Sequence, residues 1–260
     1  MKGFPPEIRK ILGIELLGVA NMQNQLSSKN KSSQKVKPSI TGPIFYCEDV
    51  SVTYGEIRAL KNVQLTIERS EVIFLTGASG AGKTTLLKVL SGLVEPTSGK
   101  VIRPNYFEGK RNLFISNVFQ DLRLLGKYSC EENLMFAYDS SIYESKAEFV
   151  QDMHELARIL GIKDRLNLKV SDANGGLKQK VAIIRALLTR PDVLIADEPT
   201  SSLDTDNARR LFDVLNLYNS KRGTTVIWAT HNKELIKNFT GRIIHLDNGR
   251  LVYSGHACFI

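Results

Sequence analysis

VIFLTGASGAGKTTLLKVL, residues Val72 to Leu90, decides the fold. Its opening run, Val72-Ile73-Phe74-Leu75, is apolar throughout, which suits a strand covered on both faces of a sheet. Gly77-Ala78-Ser79-Gly80-Ala81-Gly82-Lys83-Thr84 then matches GxxxxGK[ST], and Lys83 to Leu90 reads as a helix. Glycines in that order let the loop curl so that its N–H groups face a phosphate at the positive end of the helix. Lys83 balances the phosphate charge, and Thr84, with Thr85 beside it, offers a hydroxyl to Mg²⁺. The expected ligand is therefore ATP with Mg²⁺.

A second element of such a site is an acid delivered by a buried strand. Val193-Leu194-Ile195-Ala196-Asp197-Glu198 has that form, an apolar run ending in two carboxylates. Asp197 fits the metal, and Glu198, one residue further, fits the group that orients or deprotonates the water attacking the γ-phosphate. Other short β-like runs are Ile44 to Val52, Val63 to Ile67, Leu113 to Phe119, Thr225 to Ala229 and Ile243 to Leu246. Helical patterns over Lys83 to Leu90 and Gly176 to Leu188 separate them. The alternation predicts an α/β fold with a mostly parallel sheet covered on both sides. Residues 129 to 168 lack strand runs and read as a helical insertion, with Phe149, Met153, Leu156 and Leu160 on the core stripe of a helix over Lys146 to Leu160.

Composition divides the chain near Ile44. Residues 23 to 43 are rich in Ser, Lys, Gln and Asn and end in Pro38 and Gly42-Pro43, so they cannot repay the entropy of ordering. Residues 1 to 40 carry seven Lys/Arg against two Glu, a net +5 of the chain's +8. This excess reads as a solvated tail, with contact to anionic lipid as the alternative, and the folded part is not the basic surface that nucleic acid requires. The apolar stretch Ile11 to Met22 is broken by Glu15 and is far short of the roughly 20 residues that span a bilayer. It reads as an amphipathic tail helix, or as sequence upstream of a true start at Met22. Cys47, Cys130 and Cys258 show neither a disulfide framework nor zinc spacing, which suits a reducing cytosol.

The remaining residues complete a resemblance to the ABC ATPases. Tyr54 stands where that family places an aromatic on adenine, and Gln120 in Val118-Phe119-Gln120-Asp121 matches the Q-loop glutamine, a contact to metal and attacking water. Ser201-Ser202-Leu203-Asp204 is similar to the D-loop. His231, after the run Val226 to Ala229, matches the switch histidine at the γ-phosphate. The signature sequence LSGGQ is represented by Ala173-Asn174-Gly175-Gly176-Leu177, which keeps the glycine pair but replaces the serine with Asn174. The Asn174 amide can still donate to phosphate. Losing a hydrogen bond to a charged group costs about 1.5–3 kcal/mol, so slowed hydrolysis is expected rather than none.

The resemblance covers about Ile44 to Tyr253. It implies a RecA-like P-loop core with an N-terminal antiparallel β subdomain and a helical subdomain over about residues 121–175. It also implies an ATP-dependent homodimer with the signature of one copy, Asn174 to Gly176, against the nucleotide of the other. Within the family, Phe74-Leu75-Thr76-Gly77, Ala81 and Phe119-Gln120-Asp121 with Leu124-Leu125 resemble the cell-division ATPase FtsE. That likeness implies an FtsX-like integral partner, a role in cell-wall remodelling, and a peripheral position at the cytoplasmic face of the plasma membrane. ATPases of lipoprotein-releasing and macrolide-exporting machines share the same catalytic residues. A DNA-repair or ribosomal ABC protein fits less well, since no heptad run separates Thr84 from Asp197 and the chain holds one nucleotide motif set.

Overall fold

The computed structural model describes residues 43–103, 113–232, 236 and 240–256. The predicted tail falls outside them except for Pro43. In chain order the elements are β1 (Phe45–Tyr54), β2 (Ile57–Ile67), β3 (Val72–Thr76), α1 (Lys83–Leu90), β4 (Ser98–Ile102), β5 (Ile115–Val118), α2 (Cys130–Met135), α3 (Lys146–Ile159), α4 (Gly175–Leu188), β6 (Val193–Asp197), α5 (Thr205–Arg222), β7 (Thr225–Ala229), β8 (Arg242–Asp247) and β9 (Arg250–His256). The strands form an antiparallel sheet in the order β2-β1-β4 and a six-stranded sheet in the order β5-β6-β7-β3-β8-β9. In the larger sheet every pairing is parallel except β8 with β9.

The expected α/β class with both sheets is thus the fold found, and its chemistry is visible strand by strand. All five residues of β6 and all five of β7 are buried, as their unbroken apolar runs require of central parallel strands. Register then fixes the site. Leu75 and Asp197 both pair with Ala229, so β3, β6 and β7 end at one edge of the sheet. The loop after β3, the acids ending β6 and His231 after β7 emerge side by side there, at the carboxyl ends of parallel strands where α/β sheets bind ligands.

Beneath that edge, Phe74 of β3 stacks on Phe212 of α5 at 5.6 Å between ring centroids, and Trp228 of β7 lies 5.5 Å from Phe212 and 6.3 Å from Phe74. All three are at most 2% exposed. Removing such a ring leaves a cavity that neighbouring aromatics cannot close. Phe212→Ala is therefore expected to lower unfolding free energy by about 3–5 kcal/mol, measured by urea denaturation followed by circular dichroism.

The helical region over residues 129 to 165 is stitched by caps. Ser129 and Glu132 form a capping box on α2, and the Ser145 hydroxyl accepts from Glu148 N–H at the start of α3. Phe149, Met153, Leu156 and Leu160 are all buried, so the predicted stripe is core packing. Arg190, just past α4, joins this region to the core. Its guanidinium lies 4.0 Å from the centroid of the Tyr143 ring and reaches Glu148 Oε1 at 2.5 Å and Asp152 Oδ2 at 2.8 Å. Burial opposes the charge, but the two carboxylates outweigh it and hold the Arg190 pKa above its ordinary value.

Candidate functional site

The loop between β3 and α1 can take its shape because two glycines do what no other residue can. Gly77 has φ +146°, and a Cβ there would lie 2.4 Å from the Leu246 carbonyl oxygen. Gly82, the N-cap of α1, has φ +102°, and its Cβ would meet the Ala59 carbonyl at 2.6 Å. The loop is thus pressed between β2 and the end of β8. Lys83, first residue of α1 and 8% exposed, folds its ammonium back to donate to the carbonyls of Gly77 at 2.8 Å and Ala78 at 3.0 Å. A cation held against neutral carbonyls at a helix N-terminus is poised for phosphate, a far stronger acceptor.

Thr84 donates its hydroxyl to Asp197 Oδ2 at 2.7 Å, joining the loop to the end of β6. Burial raises the Asp197 pKa, and the nearby Glu198 raises it further, against the opposing hydrogen bond from Thr84 and the charge of Lys83. A buried carboxylate beside a hydroxyl, in a cleft that Gln120 also lines, is a hard-oxygen set that suits Mg²⁺. Thr84, Asp197 and Gln120 would hold the ion together with phosphate oxygens.

Glu198 is buried yet sits at φ +52°, a left-handed conformation uncommon outside glycine and asparagine. Its N–H donates to Ala229 O at 2.9 Å. Its side-chain Oε1 lies 2.9 Å from Nδ1 of His231, which is otherwise exposed. The backbone twist turns this carboxylate away from the strand line of Asp197, so the two adjacent acids serve different partners.

A cleft of about 820 Å³ gathers most of the predicted site: Ser79, Gly80, Gly82, Lys83, Thr84, Thr85, Gln120, Asp197, Glu198 and His231 all line it. Gly77, the exposed Ala78 and the buried Ala81 complete the loop without lining the cleft. Tyr54 does not line the cleft. It is half exposed at the tip of the β1–β2 hairpin, paired across to Ile57, and Ile57 and Arg58 occupy the cleft mouth instead.

Asn174, Gly175 and Gly176 stand apart, around a second cavity of about 660 Å³ shared with Ser202, Asp204 and Lys180. Asn174 is the N-cap of α4: its Oδ1 accepts from Leu177 N–H at 2.9 Å, which leaves the amide nitrogen available to a ligand. Glycine at positions 175 and 176 also answers to packing, since a Cβ on Gly176 would come within 2.9 Å of the Ser202 carbonyl oxygen.

Sequence reasoning missed Gln179. Buried in α4, it donates from Nε2 to the Glu198 carbonyl at 2.9 Å and accepts at Oε1 from Ser202 N–H at 3.1 Å. It therefore fixes the left-handed residue and the loop after it. A polar side chain among the otherwise apolar buried positions of α4 was the available signal.

The ABC transporter family model matches residues 60–201. The methionine import ATP-binding protein MetN of Bacillus subtilis (strain 168) is 34% identical over 80% of this chain and 64% of its own length. Its namesake in Clostridioides difficile (strain 630) is 36% identical over 80% of this chain and 67% of its own. This chain thus spans just under two thirds of the Bacillus relative. Among solved structures, the dimeric post-hydrolysis state of an ATP-binding cassette with ADP and Pi is 31% identical, with TM-score 0.71, covering 83% of this chain and all of that one.

Proposed function

Because this chain belongs to the ABC transporter family, we propose that it is the nucleotide engine of an ABC complex, binding and hydrolysing ATP with Mg²⁺. The observation that carries this reading is the convergence in one cleft of Lys83 on the loop, Asp197 tied to Thr84, and Glu198 held against His231. Loop N–H groups and Lys83 bind the phosphates at the start of α1, and Mg²⁺ neutralises charge on them. Glu198 takes a proton as the water oxygen attacks the γ-phosphorus and the bond to the bridging oxygen of ADP breaks. His231 steadies the carboxylate and Gln120 orients the water.

The second half of the site comes from another copy. Asn174, Gly175 and Gly176 line a cavity separate from the nucleotide cleft, and a related cassette is found as a dimer with ADP and Pi. ATP is thus sandwiched between Lys83 of one copy and the α4 N-terminus of the other. Asn174 in place of serine makes basal turnover slow.

Work on a membrane falls to an integral partner, as membership of the ABC transporter family supports, and no helix among the described residues is long and apolar enough to cross a bilayer. Exposed Tyr128 and Phe136, in edge contact at 5.5 Å, with exposed Leu168 near the same turn, offer an apolar docking face. The position is then peripheral, at the cytoplasmic face. Ala81 and Phe119-Gln120-Asp121 support an FtsE-like complex with an FtsX-like partner. Likeness to methionine import ATPases supports an importer permease, and because it extends over 80% of the chain rather than a few positions, the importer is preferred. Purification of the tagged chain from detergent-solubilised membranes is expected to carry one permease with it, and Mg²⁺-dependent phosphate release to follow. Recovery with an FtsX-like protein would reverse the preference, and no phosphate release from the complex would overturn the engine itself.

A further inference from the structure

Gln120 stands on a turn that the chain would not adopt unaided. Leu122 and Arg123 follow it with φ of +43° and +47°, two successive left-handed residues neither of which is glycine. L side chains hold that conformation only where surroundings impose it. The local restraints are two backbone bonds within the turn, Leu122 N–H to Phe119 O at 3.0 Å and Arg123 N–H to Asp121 O, and an Arg123–Asp121 ion pair exposed on both sides.

The stronger restraint comes from across the fold. Arg185, in the last turn of α4, donates from Nη1 to Arg123 O and from Nη2 to Leu122 O, each at 2.8 Å. One planar guanidinium therefore fixes the carbonyls of both left-handed residues at once. Burial lowers the Arg185 pKa, yet an arginine stays charged throughout the working range, so the bonds remain charge-assisted. The same helix begins at Asn174.

We propose that Arg185 is a positioning residue that holds the turn after Gln120 in register, so that α4 ties the Asn174 end to the Gln120 loop of the same copy. The proposal rests on the assignment of Gln120 to metal and attacking water, and on the ATP sandwich. In the closed dimer each α4 then reports the partner's nucleotide to the chemistry of its own, along the roughly 16 Å of helix from Asn174 to Arg185. Lysine keeps a charged donor but lacks the planar fork that meets both carbonyls in one fixed geometry, and methionine has no donor.

The test uses the full chain with Mg-ATP. Arg185→Met is expected to lower kcat about ten- to hundredfold, since two charge-assisted bonds are lost, and to raise severalfold the Mg²⁺ concentration giving half-maximal rate. Equilibrium ATP binding should stay within about twofold of the parent, because the phosphate loop is untouched. Arg185→Lys should fall between, and it stands in if the methionine variant does not fold. In a Gln120→Ala background, Arg185→Met should add little, as expected of residues acting through one another. Normal kcat for Arg185→Met beside a slow Gln120→Ala protein overturns the clamp alone. Full additivity of the two losses, or a lower kcat without the Mg²⁺ shift, also overturns it. A Gln120→Ala protein at parental rate sinks instead the role assigned to Gln120.

Discussion

Lys83→Ala is expected to abolish ATP binding at concentrations that saturate the parent, a loss of at least about a hundredfold in affinity. The lysine carries the cation nearest the phosphates, and each charge-assisted bond it makes contributes about 1.5–3 kcal/mol. It also has a second task. Its ammonium bridges the Gly77 and Ala78 carbonyls, so its removal leaves two acceptors facing the place a phosphate must enter. Charge and loop shape are thus lost together. Equilibrium titration with a fluorescent ATP analogue measures the effect, with thermal melting as the control for folding. The core below the loop does not depend on Lys83, so the melting temperature of the free protein should move little. Unchanged affinity would show that the loop after β3 is not the phosphate site.

What the sequence discloses about this fold follows from where physical demands are local. β3, β6 and β7 are central and parallel, so their burial on both faces writes itself as unbroken apolar runs. β4 and β9 lie at sheet edges, and Ser98–Ile102 and Arg250–His256 mix polar and apolar residues as edges allow, so no strand was expected at either. Helix α5 was also passed over, because TDNARRLFDVLNLYNSKR is strongly polar outside its buried stripe, although Asp204 caps it through Asn207 N–H at 2.8 Å.

The phosphate loop is legible for a different reason. Close approach of Gly77 and Gly82 to neighbouring carbonyls admits no other residue, so a geometric demand becomes a spelling. Gln179 and Arg185 make their decisive contacts with main-chain atoms, and a backbone carbonyl leaves no trace in the identity of the residue that owns it. Tyr54 shows the converse case. The order of motifs points to it, but the two-residue turn at Gly55-Glu56 pairs it with Ile57 at the hairpin tip and puts Ile57 and Arg58 at the cleft mouth.

Glu198→Gln is expected to separate binding from turnover. Glutamine has the size of glutamate and can keep the contact with His231 Nδ1, now 2.9 Å from Oε1, but it cannot accept a proton from water. Hydrolysis should fall by about 10²–10⁴, while ATP affinity stays near that of the parent because Lys83 and the loop are unaltered. The backbone contribution of this residue survives the change. Its N–H still meets Ala229 O and its carbonyl still meets Gln179, so the left-handed turn that aims the side chain is preserved. ATP that is bound but not hydrolysed keeps the two copies together by mass action, since the sandwiched nucleotide stabilises the dimer over the separated chains. The variant should therefore accumulate as an ATP-dependent dimer that the parent forms only in passing. Size-exclusion chromatography with light scattering, with and without Mg-ATP, reads the assembly, and phosphate release reads the chemistry. If the variant hydrolyses ATP at the parental rate, Glu198 is not the base. If it stays monomeric at saturating ATP, Asn174 and Leu177 have altered the signature so far that the α4 N-terminus does not capture the partner's nucleotide without the membrane subunit to hold the copies together.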